Sequence, residues 1–362
     1  MRTKVFSFAL LTLALLTFSC NKSDDALTPI ASTSLKSAIN ENVTALNTAL
    51  NTISNSAGFQ ILNDGSLKSA TESPIDSLLT NQILLSDISG VYDYKMPSLK
   101  RGPLSSQRFF NKTGENSLMV VRLPEEKVKN WRSMLSYNPA DTSLVNNYVV
   151  SLSEYEYKFH SHVGYSYKMA SAINVKSVDA GVLKIQTSNN YVNGYKYASE
   201  FAFANGYKTI CSYTTGDTIV STYAITNGLK TLYEEKYTAI KNTNEFRHRE
   251  RSFSLTIGDV QVIRQIGVKN SLDSAKVYVA GVLQTNAKVE IVDKTVDPNA
   301  TTVTNKGREL KITFDDGTSS TFTQLAGAAI DNINSLFTAM RQVTFSTNVV
   351  DWIAWDIYKS KK

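Results

Sequence analysis

The stretch YKYASEFAFANGYKTICSYTTGDTIVSTYAITNGLKTLYEEKY, Tyr195 to Tyr237, leaves the backbone few options. Apolar and polar residues alternate along it, the period of a strand with one covered face. The runs are broken at Asn205-Gly206, Gly216-Asp217 and Asn227-Gly228, with Asn193-Gly194 just ahead. Asn, Asp and Gly tolerate the positive φ angles of two-residue hairpin loops. Strands joined in this way are antiparallel sequence neighbours, so an up-and-down meander is predicted.

Parity assigns the faces. Tyr155, Tyr157 and Phe159 share one side of a strand, and Glu154, Glu156, Lys158 and His160 the other. Tyr195, Tyr197, Phe201 and Phe203 oppose Lys196 and Glu200, and Tyr233 and Tyr237 oppose Glu234 and Lys236. Tyr207, Cys211 and Tyr213 belong to the aromatic side, as do Phe253, Leu255 and Ile257. One face is therefore aromatic and covered, the other wet. Cys211 on the covered face reads as a small buried hydrophobe.

Helices supply the cover. Ile39, Val43, Leu46, Leu50 and Ile53 recur at helical spacing, predicting an amphipathic helix over about 34–54 opened by Ser34. Leu325, Ala329, Ile330, Ile333, Leu336, Phe337 and Met340 predict a second over about 324–342. Short strands are expected at ISGVYDYK, RFFNK and SLMVVRL, the last two joined by the TGEN turn, and Pro124 should open a helix. SPIDSLLTNQILL suggests a short helix begun by Pro74, and VTFSTNVVDWIAWDIY at the end reads as a strand. AKVYVAGVL, AKVEIVDK and a hairpin about Asp316-Gly317 add further strands. No Pro/Gly-rich linker divides residues 88–358, so 34–362 reads as one α+β domain: a large antiparallel meander whose aromatic face is covered by N- and C-terminal helices. A curved sheet with helices in its concave face is similar, in strand order and helix placement, to the lipoprotein-carrier half-barrels. That resemblance implies an apolar ligand in a cavity; a filled aromatic core is the simpler reading.

The N-terminus says where such a body resides. Arg2 and Lys4 precede an uncharged apolar run from Val5 to Phe18, followed by Ser19 and Cys20. That run has the length of a secretory h-region and is short for a membrane span. The segment resembles a bacterial lipoprotein signal, although Thr17 and Phe18 stand where that family favours Leu or Val and a small residue. The resemblance implies cleavage before Cys20, a diacylglyceryl and acyl (palmitate-type) modification of Cys20, and residues 20–33 as a flexible tether. Lys22, Ser23, Asp24 and Asp25 resemble the acidic signal that exports some Gram-negative lipoproteins to the outer face of the outer membrane. The implied partner is the membrane, held through the lipid anchor, with the periplasmic side as the alternative location. Beyond the anchor, the likeness is to uncharacterised lipoproteins that carry no transferable functional residues.

Chemistry is sparse. Hydrophobic residues make up 42% and charged residues 19%, a composition that supports a packed core. Removing residues 1–19 takes away Arg2 and Lys4 and no acid, leaving 36 basic against 32 acidic side chains, a net of +4. That balance implies no nucleic-acid partner. His160 and His162 in FHSHVG are weak metal candidates, with His248 a conceivable third ligand, but they read first as solvated surface groups. EFRHRERS, with Arg247, Arg249 and Arg251, reads as a charged strand face that protects an edge and secondarily as a contact for acidic headgroups or polysaccharide. Asp315 and Asp316 read as a turn rather than a catalytic pair. No G-x-S-x-G, H-E-x-x-H or Gly-rich phosphate loop occurs, so no cofactor and no catalytic residue is assigned. The expectation is a binding or structural role, with an apolar-ligand carrier as the alternative and an enzyme on envelope glycans behind it.

Overall fold

The computed structural model describes residues 32–56, 59, 80–96, 105–129, 143–241, 249–266, 274–293, 308–314 and 316–361. Cys20, Lys22, Ser23, Asp24 and Asp25, the helix expected at Pro74, His248 and Asp315 lie outside these residues. Helix α1 spans Ser32–Ser54. Strands β1 (Thr80–Leu84) and β2 (Gly90–Tyr94) flank the short α2 (Leu85–Ile88). After a 3₁₀ turn at Ser106–Arg108 come β3 (Phe110–Gly114), β4 (Met119–Leu123) and α3 (Glu125–Lys129). The meander follows: β5 (Tyr148–His160), β6 (Gly164–Val175), β7 (Val178–Asn190), β8 (Gly194–Phe203), β9 (Tyr207–Thr214), β10 (Thr218–Asn227) and β11 (Lys230–Lys241). It continues through β12 (Arg249–Ile257), β13 (Val260–Ile266), β14 (Ser274–Val279), β15 (Val282–Leu283), β16 (Lys288–Asp293), β17 (Arg308–Thr313) and β18 (Ser319–Thr321). The chain then enters α4, Phe322–Ser360.

These strands make one open sheet that fits the α+β class expected from the sequence. From β4 to β14 each strand pairs antiparallel with the next, and the expected turn dipeptides sit at the hairpins. The pattern breaks at the start. TGEN does not join a hairpin: β3 pairs with β2, and β4 lies parallel on the other edge of β2. Asp93 of β2 explains the insertion. Its carboxylate accepts Thr113 Oγ1 from β3 at 2.7 Å and both Nε and Nη2 of Arg122 from β4 at 2.6 and 2.8 Å. A bidentate charged pair of this kind sets the order of strands that a turn signal alone cannot. The upper half of β5 pairs instead with β1; residues 80–84, the TNQIL that follows the position of the helix expected at Pro74, are thus a strand.

Alternation puts the aromatic residues on one face, and the helices lie on it. In α1, Leu35, Ile39, Val43, Leu46, Leu50 and Ile53 are buried, all at 6% exposure or less. This stripe packs on β11, β12, β13 and α4. Polar contacts fix its axis along one end of the sheet. Lys36 Nζ reaches Asp316 at 3.1 Å, Asn42 Oδ1 accepts Asp259 N–H at 3.4 Å, and Asn205 Nδ2 donates to Thr52 O at 3.3 Å. The β12–β13 turn comes so close that a Cβ on Gly258 would sit 1.8 Å from Asn42 Oδ1. Only glycine fits there, and its φ of +56° suits the turn.

The last element corrects the sequence reading. VTFSTNVVDWIAWDIY is no strand; it is the second half of a helix of 39 residues, about 58 Å long. A capping box opens it. Thr321 Oγ1 accepts Gln324 N–H at 3.2 Å while Gln324 Oε1 accepts Thr321 N–H at 2.8 Å. The β-branched and aromatic residues suggested a strand, but Val350, Ile353 and Ala354 are buried at 2% or less. With Ile357 they repeat at i, i+3, i+4 and i+7, which is one helix face. Burial against the sheet overrides strand propensity here.

Candidate functional site

Two register rows on the covered face define the site. The inner row runs Tyr155, Met169, Ile185, Ser199, Cys211, Tyr223, Glu235 and Leu255, directly paired from β5 to β12. The next row, one step toward the strand ends, runs Tyr157, Tyr167, Thr187, Tyr197, Tyr213, Ser221, Tyr237 and Phe253, then Arg264 on β13. Six of its nine positions are aromatic, aligned across the strands rather than along them.

Helix α4 covers part of these rows. Trp355 packs edge-on against Tyr157, with ring centroids 5.1 Å apart, and Phe337 against Tyr223 at 5.3 Å. Between them, Asp351 Oδ1 accepts hydroxyls from Tyr155 at 3.0 Å and Tyr167 at 3.1 Å. Burial pushes the Asp351 carboxyl up to about 7, and the two tyrosine bonds hold it from rising further. Both tyrosines titrate well above their ordinary value, through burial first and the Asp351 charge second. Asp351 is thus a locking group between helix and sheet. It lies in a stretch whose residues read as a strand, where no motif singles it out.

Beyond the helix the face opens. Tyr213 is 37% exposed and Tyr223 39%, while Tyr165, Tyr195, Tyr197 and Tyr237 are half-buried. Tyr195 and Tyr213 lie 6.1 Å apart, and Tyr157 and Tyr165 stack at 6.5 Å. Asn189 stands between Tyr165 and Tyr195 in register. Tyr165 and Tyr167 repeat the alternation of Tyr155 and Tyr157 across the HSHVG turn, a symmetry the sequence carries openly. Cys211 lies on this face as expected but is half-buried, and desolvation pushes its thiol up.

The other sequence candidates lie elsewhere. β5 ends at His160, and His162 sits in the turn that follows, so the two do not share one continuing strand. Their rings are 5.8 Å apart, and His160 Nδ1 accepts the His162 backbone N–H at 3.2 Å, occupying one of the nitrogens a metal would need. No cluster of three metal-ligating side chains occurs among the described residues. Asp316 turns the β17–β18 hairpin. Bonds from Thr318 and then Lys36 lower its carboxyl to about 2. Arg251 is exposed and pairs in register with Ala239 and Ile266, on the tyrosine side of the sheet.

A cleft of about 520 Å³ lies where the end of α4 meets β2 and β3, lined by Tyr92, Phe110, Ile353 and Ile357 with Asp87 and Lys361 among its polar groups. Its polar atoms serve the fold. Asp87 accepts Leu84 N–H at 2.8 Å, Lys361 Nζ donates to Asp87 O at 2.6 Å, and Lys112 Nζ donates to Glu115 at 2.8 Å. The open tyrosine face has ring surface left to offer. No helix among the described residues is long and apolar enough to cross a membrane. No family model, curated protein or solved structure matches the chain.

Proposed function

We propose that the chain is a lipoprotein anchored through Cys20 to the outer membrane, carried toward the cell exterior by Lys22, Ser23, Asp24 and Asp25, and that its folded body acts by binding. The observation that carries the binding role is the row of tyrosines that α4 leaves partly open. Tyrosine offers a rigid apolar ring and a polar tip at low entropic cost, which suits recognition better than closure of a core. A carrier of an apolar ligand is the second reading, but it calls for a cavity under the helices. There, Leu336, Val350, Ile353, Ala354, Tyr155 and Met169 are each at 3% exposure or less.

The anchor is tested by Cys20→Ala. The wild-type chain is expected to take up labelled palmitate and fractionate with the outer membrane, and the variant to lose both. Unchanged labelling and fractionation would overturn the anchored reading. Protease added to whole cells should degrade the wild-type body; survival until the outer membrane is opened would put it on the periplasmic side.

A further inference from the structure

The open tyrosine row has the geometry of a track. It runs perpendicular to the strands, one position per strand, so its rings follow a line with steps of about 4.8 Å. From Tyr197 on β8 to Phe253 on β12 that line crosses four strand spacings, roughly 19 Å. A compact small molecule does not need such a line; an extended polymer does. The polar groups narrow its chemistry. Thr187, Ser221, Asn189 and the phenolic hydroxyls intersperse the rings, so an occupant must be apolar on its faces and rich in hydroxyls at its edges. A pyranose ring is both.

Charge narrows it further. The far end of the track is cationic, with exposed Arg251 on β12 and the half-buried Arg264 beside Phe253 on β13. The carboxylate in the inner row, Glu235, already accepts the hydroxyl of Tyr233. We propose that this face binds an acidic polysaccharide, with tyrosines stacking on sugar rings and Arg251 pairing with carboxylates of the chain. This assignment rests on the binding role proposed above and names its ligand class.

The test uses the full-length chain in detergent, run through native gels that contain polygalacturonate, dextran or neither. Retardation is expected in polygalacturonate alone, weakening as salt is added, because the arginine contribution is screened. Tyr213→Ala should weaken retention about tenfold and Tyr213→Phe far less, as befits a stacking ring. Arg251→Gln should weaken it several-fold and flatten its salt dependence, whereas Lys184→Gln on the opposite face should change nothing. Circular dichroism of each variant checks that the sheet is intact. Equal retardation in dextran, no retardation in either gel, or equal effects of Lys184→Gln and Arg251→Gln would each overturn the proposal. So would tighter binding of an oligothymidylate, or dimerisation through this face that Tyr213→Ala abolishes. Palmitate labelling is scored separately, so loss of the anchor and loss of polysaccharide binding remain distinct results.

Discussion

A carboxylate that gives up water and receives two phenolic hydroxyls, as Asp351 does, titrates differently in the folded and unfolded chain. Its folded value of about 7 lies above the unfolded 3.8. Between those limits the folded chain holds a proton that the unfolded chain has lost, so stability falls as pH rises across the interval and levels above it. The largest loss this can produce is roughly 4 kcal/mol. Urea melts at pH 5 and pH 8 should therefore show lower stability at the higher pH. Asp351→Asn should remove most of that difference and be the more stable protein at pH 8. An equal decline in the variant would mean that Asp351 does not set it.

At the scale of elements, Ile353 marks where the second half of α4 seals the sheet. It is 2% exposed on the helix face that meets the sheet, flanked by Trp352 and Trp355. Ile353→Ala should cost about 2–5 kcal/mol through lost burial and the cavity left behind. Two of the three tryptophans adjoin this contact, so emission should shift to the red in mild denaturant earlier than in the wild type. A variant with unchanged stability would contradict the packing. Legibility in the sequence follows the same physics. Helix α1 and the hairpins from β7 to β11 were readable because period and turn residues agree there. The second half of α4 was not, because Val, Thr, Ile and Trp favour strands while only their burial spacing is helical. In β5 the inward residues are Tyr148, Val150 and Leu152, then Tyr155, Tyr157 and Phe159; a bulge at Ser153 shifts parity by one while keeping the face. That switch is visible in the sequence once sought. The rows that define the site are harder to see, because cross-strand register depends on bulges such as this one and on pairs such as Asp93 with Arg122.

For the whole molecule, one helix from each end of the chain closes a face that the sheet cannot close alone. β4 to β14 are built by neighbour-to-neighbour pairing, whereas α1 and α4 reach their places across the full sequence and touch each other. The edges are guarded locally: β18 is three residues long and runs straight into α4, and β3 carries exposed Asn111, Lys112 and Thr113. The face, with Tyr155, Met169 and Leu255 buried on it, has no comparable guard once its cover is removed. A chain ended after Arg341 keeps every strand and α1 but loses Val350, Ile353, Ala354 and the Asp351 lock. Local hairpins should survive, so far-UV circular dichroism should remain strand-like. The uncovered Tyr155, Met169 and Leu152 should bind an apolar dye and broaden the urea transition, the behaviour of a sheet without fixed tertiary packing. A sharp transition within about 1 kcal/mol of the full chain would show instead that the sheet packs on its own and that α4 is an accessory to it. The outcome bears on the open tyrosine row, because α4 seats Tyr157 and Tyr167 at one end of it through Trp355 and Asp351. Truncation should therefore disorder the proposed track even though Tyr197, Tyr213 and Tyr237 remain in the chain.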